Sequence, residues 1–514
     1  MTFLRVVLAV ALFATAATLD GDRCGLTYDD GSHLHSSVVW AAPFYSGGGY
    51  CSEAHDAANA LLSCDVDLHI LQHGDSFNRD FTDRLGDQTL AALKRRTVRA
   101  IPRASVGPAT ICICHSEPGA WSVPRPNYRT ADCPTAGCSY NVGRTMFETD
   151  RLPDGWAQRL NQMDELWVPT EFQRQIFVEN GVQASKLQVV GEAVDANFFN
   201  PASTSAYVIP QSVLQQPAAR GSVPVTDDTV VFLSVFKWEP RKAPELLIRS
   251  FCEEFSAEDD TLLLILTNAY HSDSQHGDRI ATLRREAAES LGRPESSMPR
   301  IAVLRENVPQ VCETNPLVHV CVCVCVCVCV CVCVSVCLCV WACSVIVIFV
   351  VVAVVDVQED MPKLYHRAHA FVLPSRGEGW GRPHMEALAL GTPLIATNWS
   401  GPTAYMTNQN SYPLPVAEVL VPVKDGPFRG HLWADPVQSE LRSLMRRVLD
   451  SVTACRLGSD SSLCKEYQQK SKQARQDILE QWTPSRLTVQ LMSHLQRIEA
   501  GLVGSNTDSS HDEL

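Results

Sequence analysis

The chain has 514 residues, of which 46% are hydrophobic, so it is long and apolar enough to form two domain cores. Acidic residues outnumber basic ones 57 to 43, and the formal net charge is -14. The chain also lacks a basic stripe with interleaved aromatic residues. This balance excludes nucleic acid as an expected partner, because phosphate backbones attract clustered positive charge.

Both ends of the chain carry targeting patterns. Arg5 precedes an apolar stretch and a run of small residues, which together predict a secretory signal peptide over residues 1–17. The apolar stretch is too short to cross a membrane. A tail at 501–514 ends in His-Asp-Glu-Leu, the retrieval address of the endoplasmic reticulum, which a receptor recognises. These patterns predict localisation in the lumen of the endoplasmic reticulum, with the retrieval receptor as a partner.

That lumen permits disulfide bonds, and ten cysteines lie outside the segment 311–358 discussed below. Cys133 with Cys138, and Cys455 with Cys464, enclose short loops and are the expected local bridges. The spacing alone does not fix the pairing. A zinc site is not expected, because neither pair has the C-x2-C spacing with histidines after it.

The first domain is predicted over residues 24–200 as alternating strands and helices. A buried strand at 37–41 leads into three consecutive glycines at 47–49, and a helix follows at 54–62. Such glycines allow a ligand or another backbone to approach closely, although a plain tight turn has the same pattern. The next strand is predicted at 68–72.

A strand predicted at 109–114 is followed directly by His115 and Glu117. A histidine at the carboxyl end of a buried strand lies at the sheet edge where ligands bind in open α/β sheets. A structural histidine, satisfied by backbone groups, is the alternative. Further on, a short strand is predicted to end at Glu148, and Glu148 and Asp150 are interpreted as solvated loop acids.

The second domain is predicted over residues 229–500, after a linker at 201–228 that is rich in Pro, Ser and Gln. It opens with a buried strand, and Lys237 and Lys242 are predicted to follow the end of that strand. Ordinary surface lysines are the alternative. Cations at this sheet edge would stabilise negative charge on a ligand.

Residues 317–355 contain no acidic or basic side chain except His319, and valine alternates with cysteine over 320–334. A helix over this segment would be about 58 Å long, nearly twice the hydrocarbon thickness of a bilayer, whereas the alternation is typical of a strand. A GTGTGT nucleotide repeat translated in frame gives Val-Cys without end. Removing 311–358, whose first and last codons fit intron boundaries, restores the order strand, loop, helix and strand. We therefore predict that 311–358 is a translated intron or a gene-model error.

The most specific pattern lies at residues 374–403. A strand predicted at 370–373 leads into a loop with three glycines, and Pro383 suits the first turn of the helix that follows. A strand, a tight loop and a helix start form an anion site, because unpaired N–H groups and the helix dipole point at one place. Glu378 in the loop and Glu386 one turn into the helix would repel a phosphate unless they bind sugar hydroxyls. Solvated carboxylates are the alternative, but the surrounding loop favours a nucleotide-sugar site.

This segment resembles the donor-site motif of retaining glycosyltransferases of family 4, which have the GT-B fold. The resemblance implies an α/β protein with two Rossmann-like, doubly wound domains that face a cleft. It also implies a hexosyltransferase-type enzyme that moves a sugar from a nucleotide-sugar donor to a lumenal glycan or glycoprotein acceptor with retention of configuration. No metal or other cofactor is expected, because lysines and a helix start replace the cation. No membrane span is expected if 311–358 is an artefact.

The same resemblance implies the site residues. Glu378 and His115 are the expected catalytic residues, and Lys237 and Lys242 are expected to hold the donor diphosphate. The other expected positions are four at the donor and three in a cleft loop: Gly379, Gly381, Arg382 and Glu386, then Gly47, Gly48 and Gly49. Two positions depart from the family pattern, since Ala243 stands where a glycine is usual and Ala404 where an acidic residue normally follows Gly-Pro-Thr.

Two other functions have to be weighed against a transferase. A glycosidase also uses paired carboxylates, but it has no need of lysines for a diphosphate. An inactivated transferase that binds glycans or nucleotide sugars in the lumen is favoured by Ala404. The presence of both lysines, Lys237 and Lys242, and of both glutamates opposes it. Measured turnover separates these functions.

The mature transcript is expected to lack the codons for residues 311–358, because their removal keeps the reading frame and restores a continuous domain. Sequencing the transcript is the measurement. A mature message that carries the GT repeat would contradict this prediction.

Overall fold

In the computed structural model the chain forms two α/β domains, each built on a parallel sheet. The structure describes residues 33–99, 101, 109–121, 132–210, 225–269, 276–306, 354–355, 357–458 and 460–508. The predicted signal peptide, the retrieval tetrapeptide and residues 311–353 of the predicted insert lie outside the described residues.

The N-terminal domain contains a six-stranded parallel sheet in the order β2-β1-β3-β4-β5-β6. Its strands are β1 (Ser37–Ala42), β2 (Leu68–Gln72), β3 (Thr110–His115), β4 (Tyr140–Arg144), β5 (Glu165–Val168) and β6 (Leu187–Val189). Its helices are α1 (Gly49–Leu62), α2 (Arg79–Arg84), α3 (Asp87–Arg96), α4 (Trp156–Leu160) and α5 (Glu171–Glu179). Strand β3 is buried along its whole length, as expected of a parallel sheet covered by helices on both faces.

The C-terminal domain contains a seven-stranded parallel sheet in the order β10-β9-β8-β7-β11-β12-β13. Its strands are β7 (Val230–Trp238), β8 (Thr261–Ala269), β9 (Arg300–Glu306), β10 (Val354–Val355), β11 (Ala370–Leu373), β12 (Leu394–Thr397) and β13 (Tyr412–Leu414). Its helices are α6 (Pro244–Glu254), α7 (His276–Ser290), α8 (Val357–Arg367), α9 (Arg382–Ala389), α10 (Gln438–Arg456) and α11 (Ser462–Gln481). Strand β10 and the first two residues of α8 belong to the predicted insert.

The strand order reverses between β7 and β11. Strand β7 leads through β8 and β9 to one edge of the sheet, whereas β11 leads through β12 and β13 to the other. Ligands of open α/β sheets bind outside the carboxyl ends of the strands at such a switch point. The topology therefore places the candidate site at the ends of β7 and β11.

The last helix, α12 (Pro484–Asp508), crosses back from the second domain to the first. Its side chains Leu487, Leu491 and Leu495 are buried in the same hydrophobic cluster as residues of α1, β1 and β2. Helices α11 and α12 lie on either side of Trp482. The first and the last of the described elements thus share one core.

A hairpin of the second domain also reaches the first. It consists of β14 (Val421–Pro422) and β15 (Leu432–Trp433), which pair antiparallel. The ring of Phe428, between these strands, lies 4.9 Å from that of Phe147. The Asp150 amide donates to the Leu432 carbonyl at 3.1 Å, and the Leu432 amide donates to the Asp150 carboxylate at 2.5 Å. Asp150 is therefore a domain contact, and its interpretation as a solvated loop acid is wrong.

Several element boundaries differ from the sequence-based expectation. Helix α1 begins at Gly49 and not at 54, and β3 ends at His115, which therefore lies in the strand and does not follow it. Strand β4 ends at Arg144, so Glu148 lies in the loop beyond it. Strand β7 continues to Trp238, so Lys237 is an exposed residue inside the strand and does not follow its end. In β7 the side chains still alternate at the carboxyl end, with Phe236 and Trp238 buried on either side of Lys237.

The disulfide bonds correct one of the two expected pairings. Cys455 pairs with Cys464 as expected. The predicted bridge between Cys133 and Cys138 is wrong, because Cys138 pairs with Cys112 and Cys133 with Cys114. Cys112 and Cys114 lie two residues apart on β3 and therefore face the same side of the sheet, where one loop can reach both.

Among the described residues, no helix combines the length and the apolar character that a membrane crossing requires.

Gly143 of β4 is expected to tolerate no side chain. A Cβ atom there would lie 2.5 Å from the Trp121 ring and 2.8 Å from Leu166, and Trp121 is fully buried. Gly143→Ala should cost about 1–3 kcal/mol of unfolding free energy because the packed core must shift. Denaturant unfolding measures this. Gly501→Ala is the matched control, since nothing lies within 4 Å of its Cβ position in α12; equal effects of the two substitutions would contradict the packing argument.

Candidate functional site

Two segments meet at the switch point. We call the 3₁₀ turn Pro240–Lys242 after β7 the lysine turn, and residues 374–381 between β11 and α9 the glutamate loop. Strands β7 and β11 pair in parallel, so their carboxyl ends lie side by side. The Arg376 amide donates to the Arg241 carbonyl at 2.7 Å, which joins the loop to the turn.

The centre of the site is an ion pair between Lys242 and Glu378. The Lys242 Nζ donates to both carboxylate oxygens of Glu378, at 2.7 Å each. The two side chains are only 13% and 6% exposed. Burial alone would raise the pKa of Glu378, but Lys242 and Arg241 lower it to about 2. Glu378 is therefore held as a carboxylate.

The glutamate loop is fixed on both sides. The Glu378 amide donates to the Ser400 hydroxyl at 2.8 Å, and the Gly401 amide donates to the Glu378 carbonyl at 2.9 Å. A Cβ atom at Gly377 would lie 2.5 Å from the Glu148 carbonyl oxygen of the first domain. Gly377 is thus required by the close approach of the two domains.

The expected glycines of the loop have distinct environments. A Cβ atom at Gly379 would collide with the Met146 side chain of the N-terminal domain. Gly381 caps α9 with φ at 103°, a conformation that favours glycine. The helix starts at Arg382, four residues after Glu378 in the chain, and the first-turn amides of a helix lack intrahelical acceptors.

Arg382 lies at the domain boundary. Its guanidinium is 2.8 Å from the Asp56 carboxylate on α1 and 3.2 Å from Glu192, which lies in the segment that leaves β6. Burial, together with the nearby carboxylate of Glu53, raises the pKa of Glu192 to about 8 against the lowering effect of Arg382. The geometry gives Arg382 an interdomain contact, and its expected role at the donor stays a prediction.

Neither Glu386 nor Lys237 has a contact with the Lys242–Glu378 pair among the interactions of the described residues. The Tyr365 hydroxyl donates to Glu386 at 2.8 Å, and burial raises the pKa of the Glu386 carboxyl. Lys237 is exposed on β7. Its charge lowers the pKa of Asp75, although burial raises that pKa more. A lysine of the second domain therefore faces an acid of the first.

His115 is buried and engaged at both ring nitrogens. The Trp40 indole N–H donates to Nδ1 at 3.1 Å, which leaves Nε2 to donate to Glu53 at 3.0 Å. Glu53 also accepts from Arg144 at 2.5 Å. From the sequence, a structural histidine is the alternative, and these contacts fit that alternative. The partners of His115 are side chains, however, and not the backbone groups that were expected. Its expected catalytic role stays a prediction.

The glycine loop of the first domain leads into α1. Gly47 has φ at 74°, and its Cβ position would lie 2.9 Å from the Phe81 ring. Gly48 precedes the helix and Gly49 is its first residue. Tyr50 donates from its hydroxyl to the Met146 carbonyl at 3.2 Å, which ties this helix start to the loop that faces Gly379.

Two side chains of this site were not assigned from the sequence. The Arg241 guanidinium lies 3.1 Å from the Glu148 carboxylate and 3.3 Å from Glu378. Glu148 is only 24% exposed, so its interpretation as a solvated loop acid is wrong. The position of Arg241 next to Lys242 could have indicated that Arg241 belongs to the site. Its partner Glu148 comes from the other domain, so no local sequence pattern indicates that contact.

Acidic groups of the first domain face the same cleft. Burial, together with the charges of Glu148 and Asp75, raises the pKa of Glu117 to about 7 against the lowering effect of Arg241. Within the described ranges, no group of three or more His, Cys, Asp or Glu side chains is arranged to hold a metal ion.

The two departures from the family pattern have different settings. Ala243 follows the lysine turn with φ at 50°, the left-handed region in which a glycine would be unstrained. Ala404 ends the 3₁₀ turn Gly401–Ala404 and lines a cavity of about 630 Å³ that Trp482 and α12 also line. No contact of Ala404 with the Lys242–Glu378 pair is present among the described residues.

Residues 350–419 match the family model of glycosyl transferases group 1. This stretch includes the glutamate loop and α9. Comparison with curated proteins finds no match.

The fold is similar to several solved structures. One is a glycosyltransferase from Rickettsia africae, with 12% identity and a TM-score of 0.53 over 90% of this chain and 98% of that chain. Another is sucrose-phosphate synthase from Thermosynechococcus elongatus, with 12% identity and a TM-score of 0.54 over 91% and 100%. A third is HepE from Anabaena in complex with UDP and glucose, with 11% identity and a TM-score of 0.52 over 90% and 100%. At these identities the likeness establishes the fold.

The resemblance drawn from the sequence is therefore confirmed at two levels. The architecture is GT-B, with two Rossmann-like domains. The segment that carries the glutamates matches the model of glycosyl transferases group 1.

Glu378→Gln is expected to destabilise the protein in a pH-dependent way. Removing one partner of a buried ion pair costs about 3–5 kcal/mol. The pKa of Glu378 is lowered from 4.5 to about 2, so its contribution is full above about 4.5 and is lost as the pH falls towards 2. Denaturant unfolding at a series of pH values should show the difference between wild type and variant shrinking below pH 4.5.

Glu440→Gln is the matched control, because Glu440 is exposed in the first turn of α10. Its effect should stay within about 0.5 kcal/mol. A Glu378 variant with the same small, pH-independent effect would contradict the buried pair.

Proposed function

We propose that this chain, whose residues 350–419 match glycosyl transferases group 1, transfers a hexose from a nucleotide-sugar donor to an acceptor in the lumen of the endoplasmic reticulum. Transfer proceeds with retention of anomeric configuration. The acceptor is a glycan or a glycoprotein. The observation that carries this proposal is the buried pair of Lys242 and Glu378 beside the start of α9, at the switch point of the second domain.

The lysine turn and the helix start suit a diphosphate. Lys242 supplies a positive charge, and the amides at the start of α9 supply hydrogen-bond donors. When the bond to the sugar breaks, the leaving nucleotide gains negative charge, which these groups stabilise. Exposed Lys237, across the cleft from Asp75, adds a second cation near this position.

The carboxylates suit the sugar parts of the donor. Glu378 stays ionised because of Lys242 and Arg241, so it accepts hydrogen bonds from hydroxyl groups at neutral pH. Glu386, held by the Tyr365 hydroxyl, lies one turn further along α9 and is assigned to the ribose. HepE, the Anabaena protein with a similar fold, binds UDP and glucose, which supports a donor of this class.

The first domain provides the acceptor side. Its loops after β2, β3 and β4 carry Asp75, Glu117 and Glu148 towards the cleft, where the charges of Glu148 and Asp75 help to raise the pKa of Glu117. Carboxylates of this kind accept hydrogen bonds from sugar hydroxyls. The signal peptide and the terminal His-Asp-Glu-Leu support a lumenal acceptor, and three described disulfide bonds suit an oxidising lumen.

The test is a thermal-shift screen of the purified protein, without residues 311–358, against nucleotide sugars that differ in base and sugar. A donor that binds the folded state raises the melting temperature by mass action. The stabilising donor is then incubated with glycan acceptors, and the product anomer is determined by NMR. Retention supports the proposal. No stabilisation by any nucleotide sugar, or an inverted product, would contradict it.

Lys242→Ala is expected to lower turnover by about 10²–10³-fold, as does removal of a group that stabilises charge developing in the transition state. Affinity for the donor should fall less, because the charge on the leaving group grows as the bond breaks. Steady-state kinetics measures both, with circular dichroism to verify folding.

Lys465→Ala is the control, since Lys465 is an exposed lysine of the same domain whose partner among the described residues is exposed Asp460. Unchanged transfer by Lys242→Ala, together with loss of transfer in Glu378→Gln, would contradict the diphosphate role of Lys242 and favour a glycosidase-like role for the carboxylates.

A further inference from the structure

Arg241 contacts three carboxylates and one carbonyl from three separate segments. Its Nη2 donates to Glu239 at 2.8 Å, and its Nη1 donates to the Gly377 carbonyl at 2.6 Å and to Glu378 at 3.3 Å. Its Nε lies 3.1 Å from the Glu148 carboxylate. Every nitrogen of the guanidinium thus has a partner, and one of these partners belongs to the other domain.

This contact set differs from that of the neighbouring lysine. Lys242 contacts the two oxygens of Glu378 and neutralises them. Arg241 also constrains where its partners lie, because a planar guanidinium fixes the angles between its hydrogen bonds whereas an ammonium group does not. Its side chain is 20% exposed, so water competes weakly for these hydrogen bonds.

The backbone around Arg241 is braced to the glutamate loop. The Arg376 amide donates to the Arg241 carbonyl at 2.7 Å, and the Arg376 side chain donates to the Pro240 carbonyl at 2.8 Å. On the opposite side, the Glu148 carbonyl lies against Gly377 too closely to admit a Cβ atom. Turn, loop and Glu148 therefore form one packed unit across the cleft.

We propose that Arg241 is a positioning residue that holds Glu378 and the Gly377 carbonyl in register with Glu148 of the N-terminal domain. The working geometry of Glu378 then depends on the closed arrangement of the two domains. The inference rests on the proposed transferase function and deepens it, because it couples the donor loop to the acceptor-side domain. Arg241 itself touches no reacting atom and acts through its partners.

The test compares Arg241→Lys with Arg241→Gln in the full protein without residues 311–358. Both variants should lower kcat by about 10²-fold, as a small misplacement of a reacting group does. Lysine should not rescue the loss, because it restores the charge but not the planar geometry. Affinity for uridine or guanosine diphosphate, measured by calorimetry, should change less than kcat.

The second arm of the test changes Glu148, the partner of Arg241 in the N-terminal domain. Glu148→Ala should also lower kcat, and the double variant with Arg241→Lys should be no worse than the more impaired single variant, because one contact is removed in both. This arm carries the test if the Arg241 variants do not fold. Arg446→Lys is the matched control: Arg446 contacts Glu254, the last residue of α6, and Asp259 beyond that helix, and its substitution should leave kcat unchanged.

The outcomes separate this inference from the proposed function. A wild type that neither binds nor turns over any nucleotide sugar contradicts both. An active wild type whose kcat survives Arg241→Lys, or whose two substitutions have additive effects, overturns the positioning role alone. Full rescue by lysine also overturns it, because charge would then be sufficient.

Discussion

The buried pair of Lys242 and Glu378 is the interaction on which the candidate site depends. Neither charge can stay in this environment alone, because an unpaired buried ion costs several kcal/mol. The turn after β7 and the loop after β11 therefore have to close on each other. That closure in turn fixes the start of α9, since Gly381 and the helix follow the loop directly. The need to pair two buried charges thus sets the shape of the site. The parallel pairing of β7 with β11 brings the turn and the loop close enough for the pair to form.

Two arginines extend this requirement across the domain boundary. Arg241 reaches Glu148, and Arg382 reaches Asp56 and Glu192. The acids of the first domain are therefore partners of the second domain's cations as well as candidates for the acceptor side. Burial raises the pKa of Glu148 and the charge of Arg241 lowers it, so the state of this acid depends on the closed cleft. The electrostatics of the site therefore depend on the closed arrangement of the two domains.

The sequence predicted the elements with local signals and missed the contacts that cross the chain. Strands β2 and β11 match their predicted limits because apolar runs end there at turn residues. The end of β7 was misplaced because one exposed lysine between two buried aromatics is compatible with a strand and with a strand end. The disulfide partners of Cys112 and Cys114 depend on which face of a strand these residues occupy. The contact of Arg241 with Glu148 depends on the packing of two domains. Neither is encoded in spacing.

The course of the chain adds a constraint on how the protein is built. Helix α12 is the last element, yet Leu491, Leu495 and Ile498 lie in the core of the first domain together with α1. A core that lacks these side chains leaves apolar surface in water, and each buried leucine contributes about 1.5–3 kcal/mol. The first domain can complete its core only after the second has been synthesised. Since Arg241 and Arg382 also need partners from the first domain, the two halves depend on each other for stability as they do for the site.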